Sequence, residues 1–134
     1  MGKLKPPACK QGKRSRTPQV TPLSTQHMRP KFSLEYVQKS HCVSRCTQEE
    51  KAALLERLHE LSQLTWQSIM QAGRHGQGCD TLPRNAISSI PSCIPEDTNI
   101  LVFRFNGKAP MVGFRRHEVF FIVWLDRGFT LYQH

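Results

Sequence analysis

The chain has 134 residues, enough for one domain with a hydrophobic core. Its formal net charge of +9 is unevenly distributed: residues 1–31 carry eight Lys and Arg and no acid, whereas residues 32–134 carry 11 Lys and Arg against 10 Asp and Glu. A domain this close to neutral gives little electrostatic attraction for a polyanion, so the basicity points to the N-terminal segment as the polyanion-binding part.

Membrane insertion and secretion are both disfavoured by the pattern of apolar residues. The longest apolar run, Val119–Leu125, is too short to span a bilayer, and no apolar stretch of the secretory type follows the basic start. The five cysteines then favour a reducing compartment, and we expect a cytoplasmic protein.

Residues 1–31 have few large apolar side chains and contain five prolines. Such a segment cannot bury enough surface to offset the entropy of ordering, so the composition predicts a disordered basic tail. It is either an electrostatic arm for RNA, DNA or an acidic partner, or a solvated extension without a binding role.

The domain, residues 32–134, is predicted to begin with a strand and then helices. Phe32, Leu34 and Tyr36 alternate with polar residues, which is the period of a half-buried strand. Thr47 and Glu50 form a capping box that starts a helix with an apolar stripe of leucines. A second helical signal follows from Thr65, joined to the first by a kink or separated from it by a break.

Three or four strands are predicted to close the chain. Glycines in residues 73–78 end the helices, and a proline-punctuated connector follows, with Ile87 and Ile90 docked on the core. Strands are expected around residues 99–107, 110–116 and 118–127, with a hairpin at Asn106-Gly107 and a fourth strand after Gly128. The fold class is therefore α+β, with one or two N-terminal helices packed on one face of a three- to four-stranded antiparallel sheet.

Strand parity predicts one packed and one open face. A first turn of two or four residues pairs odd positions of one strand with even positions of the next. The apolar set is expected against the helices: Leu101, Phe103, Phe105, Val112, Phe114, Val119, Phe121, Val123 and Leu125. The mixed set is expected on the open face: Arg104, Met111, Gly113, Arg115, Glu118, Phe120, Ile122, Trp124 and Asp126.

This order of elements, with the segments "VFRFNGKAPMVGFRR" and "VFFIVWLDR", resembles the RelE/ParE-type toxin fold of bacterial toxin–antitoxin systems. The resemblance covers residues 32–134 and is topological; the chain is also similar to small uncharacterised bacterial proteins. It implies an endoribonuclease that needs no metal or cofactor and that has an antitoxin-like protein partner. By position, four residues match the family's catalytic set: Arg104, Arg115, Tyr132 and His134. The near-neutral domain departs from such nucleases, which are usually strongly basic.

Metal-independent RNA cleavage needs a base near the 2′-hydroxyl, an acid for the leaving oxygen and cations on the phosphate. His134 or His117 is predicted to move the proton, and Arg104 and Arg115 to hold the phosphate through paired N–H groups. His117 is thereby added to the predicted catalytic set.

Further residues are predicted to bind RNA. Phe120 and Trp124 would stack bases on the open face. The remaining candidates are cationic or imidazole side chains in turns: Arg116, Arg74 and His75. The alternative for Arg115, Arg116 and His117 is a solvated position beside a turn, and the alternative for Trp124 is coverage by the tail or a partner. The alternative function is a non-enzymatic RNA- or protein-binding module that uses the same face and the basic tail.

One cysteine pattern has the residue types of a zinc site. Cys42 and Cys46 are spaced like His75 and Cys79, and such ligands can hold tetrahedral zinc. Their spacing is wider than the usual Cys-x2-Cys pair and a helix separates the halves, so small buried cysteines are the favoured interpretation. No Ser/His/Asp order of a known hydrolase is recognisable.

Overall fold

The structure is a computed structural model that describes residues 24–72 and 78–133. The α+β class is confirmed, with two helices and five strands in these ranges. The helices are α1 (Gln48–Ser62) and α2 (Trp66–Ala72), and the strands are β1 (Lys31–Ser33), β2 (Asp80–Leu82), β3 (Ile100–Asn106), β4 (Ala109–Arg116) and β5 (Val119–Leu125).

The strands form one mixed sheet in the order β1-β5-β4-β3-β2. β1 runs parallel to β5, and the other neighbours are antiparallel. The prediction of three to four antiparallel strands is therefore wrong in number and direction. The three-residue β2 follows the glycine-rich segment that was expected to be only a turn, and the expected strand after Gly128 does not form in the described residues.

The helical signals are confirmed. The hydroxyl of Thr47 accepts a hydrogen bond from the backbone N–H of Glu50 at 3.1 Å, and the carboxylate of Glu50 accepts one from the N–H of Thr47 at 2.7 Å. Thr65 caps α2 by accepting from the N–H of Ser68 at 3.2 Å. The two helices are separated by a break rather than joined by a kink.

The strand parity prediction is wrong for the first hairpin, because β3 contains a bulge. Asn106 pairs with Ala109 across a two-residue turn, as expected, but Arg104 pairs with Pro110. Phe105 is the extra residue, and it shifts every pair beyond it by one position. Odd positions of β3 therefore share a face with odd positions of β4.

As a consequence, each face of the sheet carries its own cluster of apolar side chains. The helix face packs against α1 and α2 and includes Leu101, Phe103, Met111, Phe120, Ile122 and Leu125. The opposite face, called the loop face, includes Ile100, Val102, Val112, Phe114, Val123 and Trp124. Phe114, Val112 and Val123 were predicted on the helix face, and Met111, Phe120 and Ile122 on the open one, so these assignments are exchanged.

The loop face is covered rather than open. Ile87 and Ile94 from the connector between β2 and β3 are buried against it, and Ile90 packs beside them. Tyr36 adds an aromatic layer, with its ring stacked on Phe114 at a centroid distance of 6.1 Å. The docked connector is confirmed, and it removes the open face on which several site predictions depend.

The described part of the predicted tail, residues 24–31, is hydrogen-bonded to the domain. The carbonyl of Met28 accepts from the N–H of Trp66 at 2.9 Å, and that of Gln26 accepts from the N–H of Gln67 at 2.8 Å. Lys31 begins β1. The packed domain thus includes residues from Thr25 onward, while the prediction for residues 1–23 lies outside the described residues.

Candidate functional site

Two of the predicted catalytic residues, Arg104 and Tyr132, line the same cavity. It has a volume of about 490 Å³ and lies at the β2 end of the loop face, where Asp80, Lys108 and Phe129 also line it. We call it the Arg104 cavity. Its size is within the range of pockets that hold small organic ligands.

Arg104 is positioned by the bulge and by the hairpin turn that follows it. The residue precedes Phe105 on β3, so its side chain lies on the loop face, where it is exposed. One guanidinium nitrogen donates to the carbonyl of Lys108 at 2.8 Å. Gly107 permits the tight turn with a φ of +59°. The turn therefore holds two cationic side chains, Arg104 and Lys108, beside one cavity.

Tyr132 reaches the cavity because Asp126 turns the chain after β5. The Asp126 carboxylate is fully buried and accepts hydrogen bonds from the N–H groups of Thr130 at 2.8 Å and Leu131 at 3.0 Å. These bonds hold the backbone in a loop instead of a strand, which is why the predicted last strand is absent from the described residues. Tyr132 then lies one residue beyond this loop.

The electrostatic surroundings of Tyr132 keep its hydroxyl protonated. Burial raises the pKa of Tyr132 above its ordinary value, with smaller contributions in the same direction from Asp126 and Asp80. The nearby Arg104 cation opposes them and lowers the pKa. At neutral pH the phenol is therefore a hydrogen-bond donor beside two cations.

Arg115 lies on the helix face, away from Arg104, and its predicted catalytic position is corrected. Its guanidinium carbon is 4.2 Å from the centre of the Trp66 ring. Its Nε donates a hydrogen bond to the carbonyl of His117 at 2.7 Å, and its Nη2 donates one to the hydroxyl of Thr25 at 2.8 Å. Burial lowers the pKa of Arg115. Through these contacts Arg115 links residues 24–31 and α2 to the sheet.

Arg116 is exposed at the end of β4, and His117 is exposed in the turn to β5, where it has a φ of 58°. They were predicted to contribute catalysis and RNA binding together with Arg104. Neither of them lines the Arg104 cavity. The predicted register of β3 and β4 would have placed these residues at the end of the face that carries Arg104, and the bulge in β3 removes that register.

Phe120 and Trp124 are not available for base stacking. Phe120 is 0% exposed on the helix face and Trp124 is 3% exposed under the connector. A base can stack only on a ring that solvent reaches, so both residues are core residues and their predicted role is wrong.

Three predicted site residues, Arg74, His75 and His134, lie outside the described residues. The zinc alternative depends on His75 as well as on Cys42, Cys46 and Cys79. Within residues 24–72 and 78–133, no three His, Cys, Asp or Glu side chains are grouped closely enough to hold a metal ion. The helices in these ranges include none that is long and apolar enough to cross a membrane.

The sequence reasoning missed Lys108, Phe129 and the organising role of Asp126. Asp126 also ends a chain of contacts in which His41 binds Ser40 through Nδ1 at 2.8 Å and Thr130 through Nε2 at 3.0 Å. Thr130 in turn donates to the Asp126 carboxylate at 3.3 Å. An Asp followed by Gly128 and a Thr is a turn signal that could have predicted the loop, but its partner His41 lies too far away in the chain for any local pattern.

Comparison with known proteins gave no match: no family model, no curated protein and no solved structure is significantly similar to this chain. The resemblance to the RelE/ParE-type fold therefore stays a prediction, and functional conclusions depend on the geometry of the site.

Proposed function

We propose that the protein binds RNA and that the Arg104 cavity holds a phosphate group. The observation that carries this proposal is the convergence of Arg104, Lys108 and Tyr132 on one cavity. A guanidinium, an ammonium and a phenol that remains protonated are all donors, and phosphate oxygens are acceptors only. Asp80 is the carboxylate among the residues that line the cavity, so the lining carries one more positive than negative charge.

The basic N-terminal segment supplies the sequence-independent part of the affinity. Residues 1–23 contain six Lys and Arg and no acid. Contacts between such a segment and phosphates release counterions, which strengthens binding to any polyanion and makes it sensitive to salt. The cavity would then position one phosphate while the segment attracts the strand.

Cleavage of the bound RNA is the second candidate function, favoured because two residues of the predicted catalytic set share the cavity. Arg104 would stabilise charge on the phosphorane and Tyr132 would protonate the leaving oxygen. A base is also needed, and no histidine of the described residues lines this cavity. His134, two residues beyond Tyr132, is the side chain to test in that role.

Binding is tested by fluorescence anisotropy with a labelled single-stranded RNA and a matched pair of variants. Arg104→Ala and Arg116→Ala remove the same charge from exposed positions, but only Arg104 lines the cavity. We expect Arg104→Ala to weaken binding about tenfold, the equivalent of one charge-assisted hydrogen bond, and Arg116→Ala to weaken it less than about threefold. Equal losses would show that only net charge matters and would overturn the proposed site.

Cleavage is tested by incubating the same RNA with excess protein in the presence of a chelator and separating the products. The ribonuclease candidate predicts fragments with wild type and none with Arg104→Ala or His134→Ala. Intact RNA with the wild-type protein would leave binding as the function.

A further inference from the structure

Phe129 has a backbone conformation that bulky residues rarely adopt. Its φ is 58°, in the left-handed region where the Cβ atom meets the backbone, and glycine is the residue that adopts this conformation without cost. Gly128 is the adjacent residue, yet the left-handed position is occupied by the phenylalanine. Strained positions of this kind persist only where the surrounding structure imposes them, and they are concentrated at functional sites.

Asp126 supplies the constraint that holds Phe129 in this conformation. The carbonyl of Asp126 accepts from the N–H of Phe129 at 3.3 Å. Its carboxylate binds the next two backbone N–H groups, those of Thr130 and Leu131. The loop is therefore fixed on both sides of the phenylalanine by one buried residue.

The consequence of this conformation is that the Phe129 side chain reaches the Arg104 cavity. The residue lines the cavity together with Arg104, Lys108 and Tyr132, and it is 45% exposed. Phe120 and Trp124, by contrast, are covered by the rest of the domain. Phe129 thus combines an unfavourable backbone conformation with partial exposure of a large apolar side chain at the cavity.

We propose that Phe129 is a stacking platform for a nucleobase, so that the cavity recognises a complete nucleotide rather than a phosphate alone. This inference rests on the proposed function, because the phosphate of the same nucleotide would lie between Arg104 and Lys108. A flat ring beside two cations suits a ligand with a flat heterocycle at one end and an anion at the other. The cavity volume of about 490 Å³ is sufficient for one mononucleotide.

Stacking on an aromatic side chain tolerates any base, because every base has a π-face. The ligand class is therefore a single-stranded RNA nucleotide without strong base preference. The expected gain from the base is roughly tenfold in affinity, the lower part of the range for one aromatic stack.

The test compares two ligands that differ only in the base, adenosine 5′-monophosphate and ribose 5-phosphate, by isothermal titration calorimetry with the full-length protein. The wild type is expected to bind the nucleotide about tenfold more tightly than the sugar phosphate. In Phe129→Gly the two affinities should become equal, with the affinity for ribose 5-phosphate unchanged. Phe129→Trp should retain or increase the preference for the nucleotide.

Thermal unfolding of the same variants separates a functional from a structural role. Glycine relieves the left-handed strain but also removes the partly buried ring, so Phe129→Gly should melt close to the wild type while losing the base preference. A lower melting temperature together with an unchanged base preference would show that Phe129 serves the fold, and the inference would be overturned.

The outcomes also distinguish this inference from the proposed function. If the wild type binds both ligands equally and Arg104→Ala weakens both, phosphate binding stands and base stacking is wrong. If the wild type binds neither ligand, both proposals are wrong for this cavity.

Discussion

Among single residues, Tyr132 offers a direct measure of the charges in the Arg104 cavity, because its hydroxyl titrates beside Arg104. The chain contains two tyrosines, so Tyr132→Phe leaves Tyr36 as the reference. Because Arg104 lowers the pKa of Tyr132 against the effect of burial, Arg104→Ala should move its titration to higher pH. Tyrosinate absorbance as a function of pH measures this directly. An unchanged titration would mean that the two side chains do not share the cavity.

The raised pKa of Tyr132 also has a consequence for stability. A folded pKa above the unfolded value of 10.0 means that the stabilising effect is fully present below pH 10 and is lost as the pH rises through the folded value. Under alkaline conditions the free energy of unfolding of the wild type should therefore decrease relative to that of Tyr132→Phe. Parallel curves for the two proteins in chemical denaturation between neutral and alkaline pH would contradict the raised pKa.

Arg115 illustrates how a change of face changes the role of a residue. The sequence predicts a solvent-facing catalytic arginine, whose removal should cost little stability, but the structure places it over Trp66 with bonds to Thr25 and His117. A cation–π contact and two hydrogen bonds from a charged donor predict a loss of roughly 2–3 kcal/mol in Arg115→Ala.

The neighbouring Arg116 provides the control for this prediction, because it is exposed at the end of the same strand. Arg116→Ala should change the free energy of unfolding by less than about 0.5 kcal/mol. Equal effects of the two substitutions in urea denaturation would show that Arg115 does not have the contacts described.

At the scale of elements, the two β-bulges decide which residues share a face. A second register shift lies between Val112 and Gly113, opposite Val123 on β5. There the chains approach so closely that a Cβ atom on Gly113 would overlap the carbonyl oxygen of Phe121. Only glycine fits at this position, and β4 and β5 would have to move apart to accept any other residue.

Gly113→Ala should therefore destabilise the protein by roughly 3 kcal/mol or more, since backbone atoms cannot move aside as a flexible side chain can. Gly128→Ala is the matched control, because its added Cβ would meet only a Thr130 methyl group at an ordinary distance of 3.7 Å. We expect the control to be neutral or slightly stabilising. A Gly113→Ala variant as stable as the wild type in urea denaturation would contradict the register of β4 and β5.

The elements also show what the sequence can predict. The capping box of Thr47 and Glu50 and the turn at Asn106-Gly107 depend on neighbouring residues, so their chemistry is visible in the sequence and both predictions are confirmed. The bulge at Phe105 could not be predicted, because nothing in the local sequence distinguishes Phe105 from a regular strand residue. One unpaired residue was enough to exchange the predicted faces of β4 and to separate Arg115 from Arg104.

At the scale of the whole molecule, long-range packing limits what could be predicted of the site. Ile87 and Ile90 were expected to dock, but sequence alone does not show that residues 83–99 cover the loop face. Trp124 could therefore be predicted as exposed although it is buried under this connector. Phe120 is buried for a different reason, because the bulge in β3 places it on the helix face. Arg104 and Tyr132, which the resemblance assigns to one catalytic set, line the same cavity. Lys108 and Phe129 line it because two turns that are distant in the sequence meet there.

The boundary between tail and domain predicts different results for two deletions. Removing residues 1–23 should leave the melting temperature nearly unchanged and reduce the salt dependence of RNA binding by a slope of about 4, since six cations would each contribute about 0.7. Removing residues 1–30 also deletes the bonds of Thr25, Gln26 and Met28 to the domain. It should lower the melting temperature by roughly 10 °C, the equivalent of 2–3 kcal/mol.

Thermal unfolding and RNA titrations at several salt concentrations check these two deletions. A large stability loss on removing residues 1–23 would mean that this segment is part of the fold. An unchanged salt dependence would mean that it does not contact RNA.

Binding of a nucleotide unit of RNA in the Arg104 cavity can be located residue by residue with NMR. Isotope-labelled protein lacking residues 1–23 would be titrated with a short single-stranded RNA. The deletion removes the sequence-independent attraction of the basic segment. We expect the largest amide shift changes around the cavity, in residues 80–82, 102–108 and 129–132, and we expect Arg104→Ala to abolish them. Changes confined to the β4–β5 turn around His117, or their persistence in Arg104→Ala, would contradict binding in this cavity.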